Sequence, residues 1–333
     1  MMKKQTNYES AKKQQRKFLS FLNAQTESLI CSEKLSLAQN YRSSGRSLER
    51  YLNTLHKKDI SLRNVDAKLM ASYQQWMYGN GVRKNTMVFY MRNLHAVYNK
   101  AVRQQLVADR HPFSSVQTCI RHTDKRAVTP DLIRNISTID IPSGLILLGQ
   151  NPNKKPFGRM CRHMAFARDM FIFCFCARGL TFVDLAFLKR ENICYGHIIY
   201  ERRKTGQHIE VEILPLMQDF INKYATADGP YLFPILTVTD AKKAYQQYRS
   251  DIRRYNNQLA RLSKMLGSDV RLTSYVSRHS WATAAYHADV PLPYISEAMG
   301  HTSEHTTRIY LKSLESSKID KENKRLLDNI FRN

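Results

Sequence analysis

The sequence predicts a mainly α-helical protein of two domains, with one small β-sheet in the C-terminal domain. Apolar residues recur at helical spacing in several segments between residues 16 and 108. A polar, basic stretch that closes at a proline separates these segments from the rest of the chain. Further on, GHIIYERRKTGQHIEVEIL alternates apolar and polar residues around RKTGQ, as the two strands of a hairpin do. A length of 333 residues fits two domains of ordinary size.

The first domain is predicted to be a small helical bundle over residues 16–108, after a loose basic arm at residues 1–15. Its helical segments are, in order, QQRKFLSFLNAQTESLI, SLAQNYRSSGRSLERYLNTL, NVDAKLMASYQQWMYGNG and KNTMVFYMRNLHAVYNKAVRQQLV. The third begins at an Asn/Asp cap and stops at Gly79-Asn80-Gly81. Short connections of this kind are typical of an all-α bundle.

The second domain is predicted to cover residues 129–333, after a linker at residues 109–128. RDMFIFCFCARGLTFVDLAFLKRENI reads as a helical stretch too apolar to be anything but core. The hairpin follows, and the sequence from TDAKKAYQQYRSDIRRYNNQLARLSKML onward is mostly helical. The last segment, residues 316–333, has the spacing of an amphipathic helix.

The charge of the chain indicates a nucleic-acid partner. Lys and Arg number 52 against 28 Asp and Glu, which gives a formal net charge of +24 and a pI near 9.9. The positive charges of such a chain repel one another unless a polyanion neutralises them. DNA is a suitable polyanion, because contacts to its phosphates release counterions. A membrane surface or a ribosome is the alternative. Because two basic domains on a linker can close around a duplex, double-stranded DNA held in a two-domain clamp is the favoured interpretation.

The cysteines and the N-terminus indicate a reducing, non-membrane compartment. The six cysteines form no C-x-x-C pair, and two of them lie in the apolar run MFIFCFCA. No apolar segment follows the basic start of the chain, and the longest apolar runs are far too short for a membrane span. We therefore expect a cytoplasmic protein, associated with the bacterial nucleoid, with no membrane partner.

The stretch GHTSEHTTRIYLKS permits two chemistries. His301, Glu304 and His305 have the H-x-x-E-H spacing of an inverted zinc-protease motif. Such a site needs a third ligand well downstream, however, and Gly300 directly before the first histidine favours a helix end there. In the second interpretation, Tyr310 acts on phosphate and no metal is involved.

DNA strand transfer without a metal requires a nucleophile, cationic donors for the non-bridging oxygens and an acid for the leaving 5′ oxygen. A tyrosine can supply the first, arginines the second and a turn lysine the third. The sequence has no P-loop and no carboxylate cluster for two metals. No cofactor is therefore predicted, since a covalent phosphotyrosine would preserve the phosphodiester energy without ATP or metal.

SYVSRHSWATAAYHADVPLPYISEAMGHTSEHTTRIYL resembles the C-terminal signature of the tyrosine recombinases, the phage-integrase family. That signature runs R-H-(S/T)-x-A-T, then L-G-H, then T-x-x-Y, and this sequence has RHSWAT, MGH and TRIY in the same order. The resemblance extends over most of the chain. It implies a helical core-binding (SAM-like) domain followed by an α/β catalytic domain.

The resemblance also implies roles for individual residues. Tyr310 would be the nucleophile, Arg278 the second catalytic arginine, His301 the hydrogen-bonding histidine and Lys204 the general acid. The implied activity is site-specific recombination through a 3′-phosphotyrosine, giving integration, excision or inversion of DNA. The implied complex is a tetramer on two DNA sites, formed from monomers or weak dimers, with accessory DNA-bending proteins as possible partners.

Two positions depart from the family pattern. Tyr275 stands where the family usually has a histidine, and a phenol can donate a hydrogen bond but cannot become a cation near neutral pH. Thr181 stands in the slot of the first arginine. Arg178 lies three residues earlier, which on a helix is one turn back on the same face, so we predict that its side chain reaches the same phosphate oxygen. The alternative is that Arg178 caps or pairs within the structure. Asp184 matches an acidic family position and is read as orienting or structural.

Further DNA contacts are predicted at helix starts and polar faces, where phosphate-positioning side chains are expected. The predicted DNA-binding residues are Tyr41, Arg42, Lys84, Asn85, Thr86, Arg92 and Tyr275. In relatives, a terminal helix like that at residues 316–333 docks on a neighbouring protomer, and packing on its own domain is the alternative. Two other functions stay open: a DNA-binding protein with a degenerate active site, and a type IB topoisomerase, which shares the chemistry.

Overall fold

The computed structural model describes residues 16–116, 127–308, 311, 323–325, 327–328 and 330–331. The chain divides into two compact units, Met1–Thr123 and Asp124–Asn333. Most of both units is helical, and the described strands form one sheet in the second unit. The predicted fold class, mainly α with a small C-terminal β-sheet, is confirmed. In the described part of the chain, no helix is both long enough and apolar enough to cross a membrane.

The helices of the first unit coincide with the predicted segments. They are α1 (Phe18–Cys31), α2 (Leu35–Thr54), α3 (Ala67–Gly79) and α4 (Lys84–Arg103), with a 3₁₀ turn at Leu62–Asn64. The side chain of Asp66 accepts a hydrogen bond from the Leu69 N–H and so caps α3, as the Asn/Asp signal predicts. Just after α3, Gly81 adopts a φ of +70°, which a glycine tolerates without strain.

Aromatic and aliphatic side chains fill the core of the first unit. Phe18, Leu48, Tyr73 and Tyr98 are fully buried there. The Tyr73 hydroxyl donates to Ser47 Oγ at 2.7 Å, so its polar group is satisfied inside the core. Burial raises the pKa of Tyr73 far above its ordinary value, and the residue therefore stays neutral.

The second unit contains further helices, the strands and a 3₁₀ turn at Arg190–Asn192. The helices and strands are α5 (Pro130–Thr138), α6 (Ile141–Leu147), α7 (Pro156–Cys176), α8 (Phe182–Phe187), β1 (Ile193–Cys194), β2 (His197–Glu201), β3 (His208–Glu212), α9 (Pro215–Tyr224), α10 (Ala241–Met265), α11 (Ser274–His287) and α12 (Leu292–Ala298). The sheet has the order β1-β2-β3, and both pairs are antiparallel. Tyr200 of β2 pairs with Ile209 of β3, which confirms the predicted hairpin.

Helix α7 lies at the centre of the second unit and packs against α5, α6, α9, α10 and α11. Its apolar C-terminal half explains this position, since Phe171 and Phe173 are fully buried. Phe173 meets Phe233 edge to face with ring centroids 5.1 Å apart. The helix is shorter than the predicted apolar stretch, because the chain turns at Ala177–Thr181 before α8 begins.

The turn between α7 and α8 is set by two consecutive residues with left-handed backbones. Arg178 has a φ of +53° and Gly179 a φ of +76°. Thr181 then caps α8 by accepting the Asp184 N–H with its hydroxyl. The backbone thus leaves α7, reverses over a few residues and enters α8, which packs against α10.

Candidate functional site

Arg278 on α11 is the buried centre of the candidate site. Its side chain is only 3% exposed, yet its guanidinium donates to the Gly179 carbonyl at 2.8 Å and to the Met299 carbonyl. A Cβ atom at Gly179 would lie 3.0 Å from Arg278 Cα, a tight contact, and the φ of +76° also favours glycine here. The α7–α8 turn and the turn after α12 therefore fix the arginine from two sides.

His301 lies beside this arginine, just after α12. Its Nε2 is 3.4 Å from a terminal nitrogen of Arg278, and its Nδ1 is 2.7 Å from the hydroxyl of the buried Thr307. Contacts to both ring nitrogens fix the plane of the imidazole. The structure thus brings together two of the predicted catalytic residues, the arginine and the histidine.

The β2–β3 hairpin contacts the same turn through three side chains. Arg202 donates to the Gly300 carbonyl at 2.6 Å, and Thr205 donates to that oxygen at 3.3 Å. Gln207 donates to the His301 carbonyl at 3.0 Å. Lys204, the predicted general acid, lies between these residues in the hairpin turn and is exposed.

Asp184 on α8 is buried and holds the hairpin from the other side. Its Oδ1 accepts the backbone N–H of Arg203 at 2.9 Å, and its Oδ2 accepts the Thr181 hydroxyl at 2.6 Å. Both oxygens are therefore occupied within the protein. Asp184 therefore holds the backbone of Arg203, the residue before Lys204, as an orienting carboxylate would.

The helical premise behind the Arg178 prediction is wrong. Helix α7 ends at Cys176, and Arg178 lies in the left-handed turn while Thr181 caps the next helix, so the two share no helical face. The Arg178 side chain is exposed, and its guanidinium donates to the Glu210 carbonyl of β3 at 3.3 Å. Its direction is therefore set by the hairpin and not by a helix.

Tyr275 lies in the first turn of α11, three residues before Arg278. It is 43% exposed, and its ring centroid is 5.3 Å from that of His279. Tyr310 lies outside the residues that the structure describes, as does most of the segment 316–333. The described part of its motif ends at Arg308 on a short helical segment that begins at Glu304.

Two family models match the sequence along this architecture. The model for the phage integrase SAM-like domain matches residues 17–118, and the model for the phage integrase family matches residues 177–317. A tyrosine recombinase from Agathobacter rectalis is 41% identical over 59 residues, a match that spans 18% of this chain and 18% of that relative. The chain belongs to the tyrosine recombinase family.

Solved structures agree with this family in fold. A lambda integrase dimer bound to a COC′ core site has a TM-score of 0.57 at 15% identity, covering 88% of this chain and 77% of that chain. A lambda integrase tetramer bound to a Holliday junction has a TM-score of 0.59 at 15% identity, with the same coverage. The Tn1549 transposon integrase in complex with transposon right end DNA has a TM-score of 0.54 at 15% identity, covering 85% and 93%.

The predicted DNA-binding residues of the first unit divide into two groups. Tyr41 is 3% exposed and belongs to the core of the first unit, with the Lys100 ammonium 5.3 Å from its ring centroid. The prediction that Tyr41 contacts DNA is therefore wrong. The other first-unit residues lie at least partly at the surface: Arg42, Lys84, Asn85, Thr86 and Arg92. Arg42 is 3.6 Å from Glu27, and Lys84, Asn85 and Thr86 occupy the first turn of α4.

The zinc interpretation does not fit the geometry of the site. His301 lies outside a helix and precedes the helical segment that begins at Glu304, so His301 and His305 do not share a continuous helical face. The ring nitrogens of His301 instead face Thr307 and Arg278. The described ranges contain no group of three or more His, Cys, Asp or Glu residues placed to hold a metal ion.

Sequence reasoning missed Arg202, Thr205 and Gln207. A signal for Arg202 was present in the strand pattern, because Ile198, Tyr200 and Arg202 share one face at a period of two. Ile198 and Arg202 are both buried, so the inward face continues into an arginine. No comparable signal marks Thr205 or Gln207, whose contacts arise only when the hairpin meets the turn after α12.

Proposed function

We propose that this protein is a site-specific DNA recombinase that cuts and rejoins strands through a 3′-phosphotyrosine, without metal or ATP. One observation carries the proposal. The buried Arg278 guanidinium, the His301 ring and the hairpin with Lys204 all meet at the Met299–Gly300–His301 turn. A buried guanidinium beside an imidazole forms a preorganised environment that stabilises the negative charge on a five-coordinate phosphorus transition state. The family supports the same reaction class.

Cleavage exchanges one ester bond at the scissile phosphorus for another. The Tyr310 oxygen attacks the scissile phosphorus and loses its proton to water, and an oxygen–phosphorus bond forms. The bond from phosphorus to the 5′ oxygen breaks, and its electron pair stays on that oxygen. Lys204 donates a proton to the 5′ oxygen and becomes a neutral amine. Arg278 and His301 hold the non-bridging oxygens while the charge on them grows. Rejoining is the reverse reaction with the 5′ hydroxyl of a partner strand.

Arg178 is proposed as the second cation on the phosphate, in place of the arginine absent at Thr181. Its exposed guanidinium comes from the same turn as Gly179, whose carbonyl binds Arg278. Arg178 is therefore adjacent in the chain to the residue whose carbonyl holds the Arg278 guanidinium. Arginine suits this role because its charge is permanent and its donors form a fork.

The proposed substrate is a duplex site bound by both units as a clamp. The net charge of +24 supports binding of a polyanion. The solved structures of similar fold include a lambda integrase dimer on a core site and a lambda integrase tetramer on a Holliday junction. We propose the same kind of assembly here, four protomers on two DNA sites, with residues 316–333 docking on a neighbouring protomer.

A nicked suicide duplex tests the chemistry directly. Loss of the short strand beyond the cleaved phosphate prevents rejoining, so a covalent protein–DNA adduct accumulates and is seen on a denaturing gel. We expect adduct from the wild-type chain and none from Tyr310→Phe. Undiminished adduct with Tyr310→Phe would refute the proposal.

Arg178→Ala and Arg278→Ala, measured separately in this assay, test the cations. We expect each to lower the adduct rate by at least about 10²-fold, the usual effect of removing one preorganised charge donor. An unchanged rate in Arg178→Ala means that another cation fills its role.

A DNA-binding protein with a degenerate active site is the second candidate, and Thr181 and Tyr275 are the residues that favour it. This protein would bind its site but give no adduct on the suicide duplex. A type IB topoisomerase would give adduct but would also relax supercoiled DNA that lacks a paired site.

A further inference from the structure

We propose that Arg202 is a positioning residue that, with Thr205 and Gln207, fixes the general-acid lysine against the His301 turn. The inference rests on the proposed function, since it assigns Lys204 the proton transfer to the 5′ oxygen. It adds a device that holds the lysine in place: the hairpin clamp, defined as the side chains of Arg202, Thr205 and Gln207 with the carbonyls of Gly300 and His301.

The residues of the hairpin clamp flank Lys204 in the hairpin turn. Arg202 N–H donates to the Gln207 carbonyl at 2.8 Å, which closes the turn that contains the lysine. Inside it, the N–H groups of Thr205 and Gly206 both donate to the Arg202 carbonyl. The backbone on either side of Lys204 is therefore fixed, whereas its ammonium is exposed and able to reach a substrate.

The hairpin also packs closely against the turn that contains Gly300. A Cβ added at Gly300 would lie 3.1 Å from Arg202 Cδ and 2.9 Å from Ile209 Cδ1, so the hairpin packs directly on the glycine backbone. Gly300 has a φ of +59°, a conformation that glycine adopts without penalty. The next residue is His301, so a shift of the hairpin would displace the lysine relative to the histidine.

Burial of Arg202 argues for a specific role. The residue is 4% exposed, and burying a guanidinium is costly unless its donors are paired. Its Nε has no acceptor within hydrogen-bond distance among the described residues. An apolar residue of similar volume would fill the space at lower cost, but it could not hold the Gly300 carbonyl. Arg202 thus supplies a hydrogen bond to the Gly300 carbonyl that an apolar residue could not make.

The test uses the leaving group of the reaction. The nicked suicide duplex is prepared in two forms, with oxygen or with sulfur at the bridging 5′ position of the scissile phosphate. Because a thiol has a pKa of about 8.5, a thiolate leaves without being protonated. A residue that acts through the general acid is needed on the oxygen duplex and dispensable on the sulfur duplex. A residue needed only for folding is needed on both.

Four variants are compared with the wild-type chain. Arg202→Met removes the donors and keeps most of the stem. The double variant Thr205→Val with Gln207→Leu weakens the clamp while the buried arginine stays, so the test survives if Arg202→Met does not fold. Lys204→Ala is the benchmark for loss of the acid. Arg203→Met is the matched control, since that guanidinium is exposed and stacks 3.8 Å from the Phe187 ring centroid.

On the oxygen duplex, we expect Arg202→Met to slow adduct formation by about 10²-fold, within the range of a lost general acid. The double variant should be slowed in the same direction, and Arg203→Met should keep the wild-type rate. On the sulfur duplex, Arg202→Met, the double variant and Lys204→Ala should all approach the wild-type rate.

An Arg202→Met defect of equal size on both duplexes would overturn the inference, as would a wild-type rate on the oxygen duplex. Absence of adduct from the wild-type chain on both duplexes would instead refute the proposed function itself. The two failures are therefore distinguishable in one experiment.

Discussion

At the residue scale, the α7–α8 turn contains a backbone conformation that is unfavourable for stability. Arg178 is a non-glycine residue with a left-handed backbone, followed by a glycine in the same region of φ. A left-handed conformation costs an L-residue with a Cβ roughly 1–2 kcal/mol. The exposed side chain of Arg178 recovers little of this by packing, because its one described bond is a 3.3 Å contact to a carbonyl. The cost is explained if the guanidinium serves the DNA phosphate.

Arg178→Gly should therefore stabilise the fold while abolishing cleavage. We expect the free energy of unfolding to rise by up to about 1 kcal/mol, since glycine relieves the left-handed backbone but adds freedom to the unfolded chain. Thermal unfolding and the suicide duplex measure the two effects. Tyr195 is the matched control, being 97% exposed with a φ of +48° and also followed by a glycine. Tyr195→Gly should stabilise equally and leave cleavage intact, and a destabilised Arg178→Gly would contradict the argument.

At the element scale, helices α7 and α9 are joined by a buried carboxylate. Asp169 on α7 accepts from Arg168 Nε at 2.7 Å, from Lys223 Nζ at 2.9 Å and from the Tyr224 hydroxyl at 2.7 Å. Burial opposes ionisation of Asp169, but these three hydrogen bonds together hold its pKa below the ordinary value. A group whose folded pKa is lowered stabilises the fold above its unfolded pKa, and this contribution is lost as pH falls through the folded pKa.

Asp169→Asn should remove this pH dependence. We expect it to lower the free energy of unfolding near neutral pH by about 1–3 kcal/mol, because three hydrogen-bond donors lose their buried, charged acceptor. The difference from the wild-type chain should shrink as the pH falls below about 4, the unfolded pKa of aspartate. Urea unfolding followed by Trp281 fluorescence in a Trp76→Phe background reports on the second unit alone. Asp131→Asn, whose carboxylate makes an exposed pair with Arg134, should change neither quantity.

At the scale of the whole molecule, net charge governs the affinity for DNA. A chain with a formal charge of +24 is expected to bind any duplex through phosphate contacts, with an affinity that falls steeply as salt rises. Site preference must come from a smaller set of contacts made within that background. Lys84 is exposed at the start of α4, where its ammonium would make one of the phosphate contacts that cause this salt dependence.

Lys84→Ala should weaken binding about equally on cognate and unrelated duplexes. The slope of log affinity against log salt should become shallower by about 1, the change for one lost phosphate contact. Fluorescence anisotropy across a salt series measures both. Tyr41→Phe should leave the slope unchanged because Tyr41 is buried in the core. A shallower slope for Tyr41→Phe would restore that residue to the DNA interface.

The sequence by itself determined the elements whose signals are local. Helical periodicity, the Asp66 cap and the alternating hairpin residues were readable because each depends on neighbours in the chain. The ordered motif around Arg278 and His301 identified the family for the same reason. Tertiary structure alone decided the contacts between distant segments. One such feature is the left-handed turn at Arg178, which ends α7 before Thr181 and so removes the helical face that the sequence suggested. The other is the hairpin clamp, in which Arg202 contacts Gly300, 98 residues further along the chain. Packing sets both features, and no local sequence pattern encodes them.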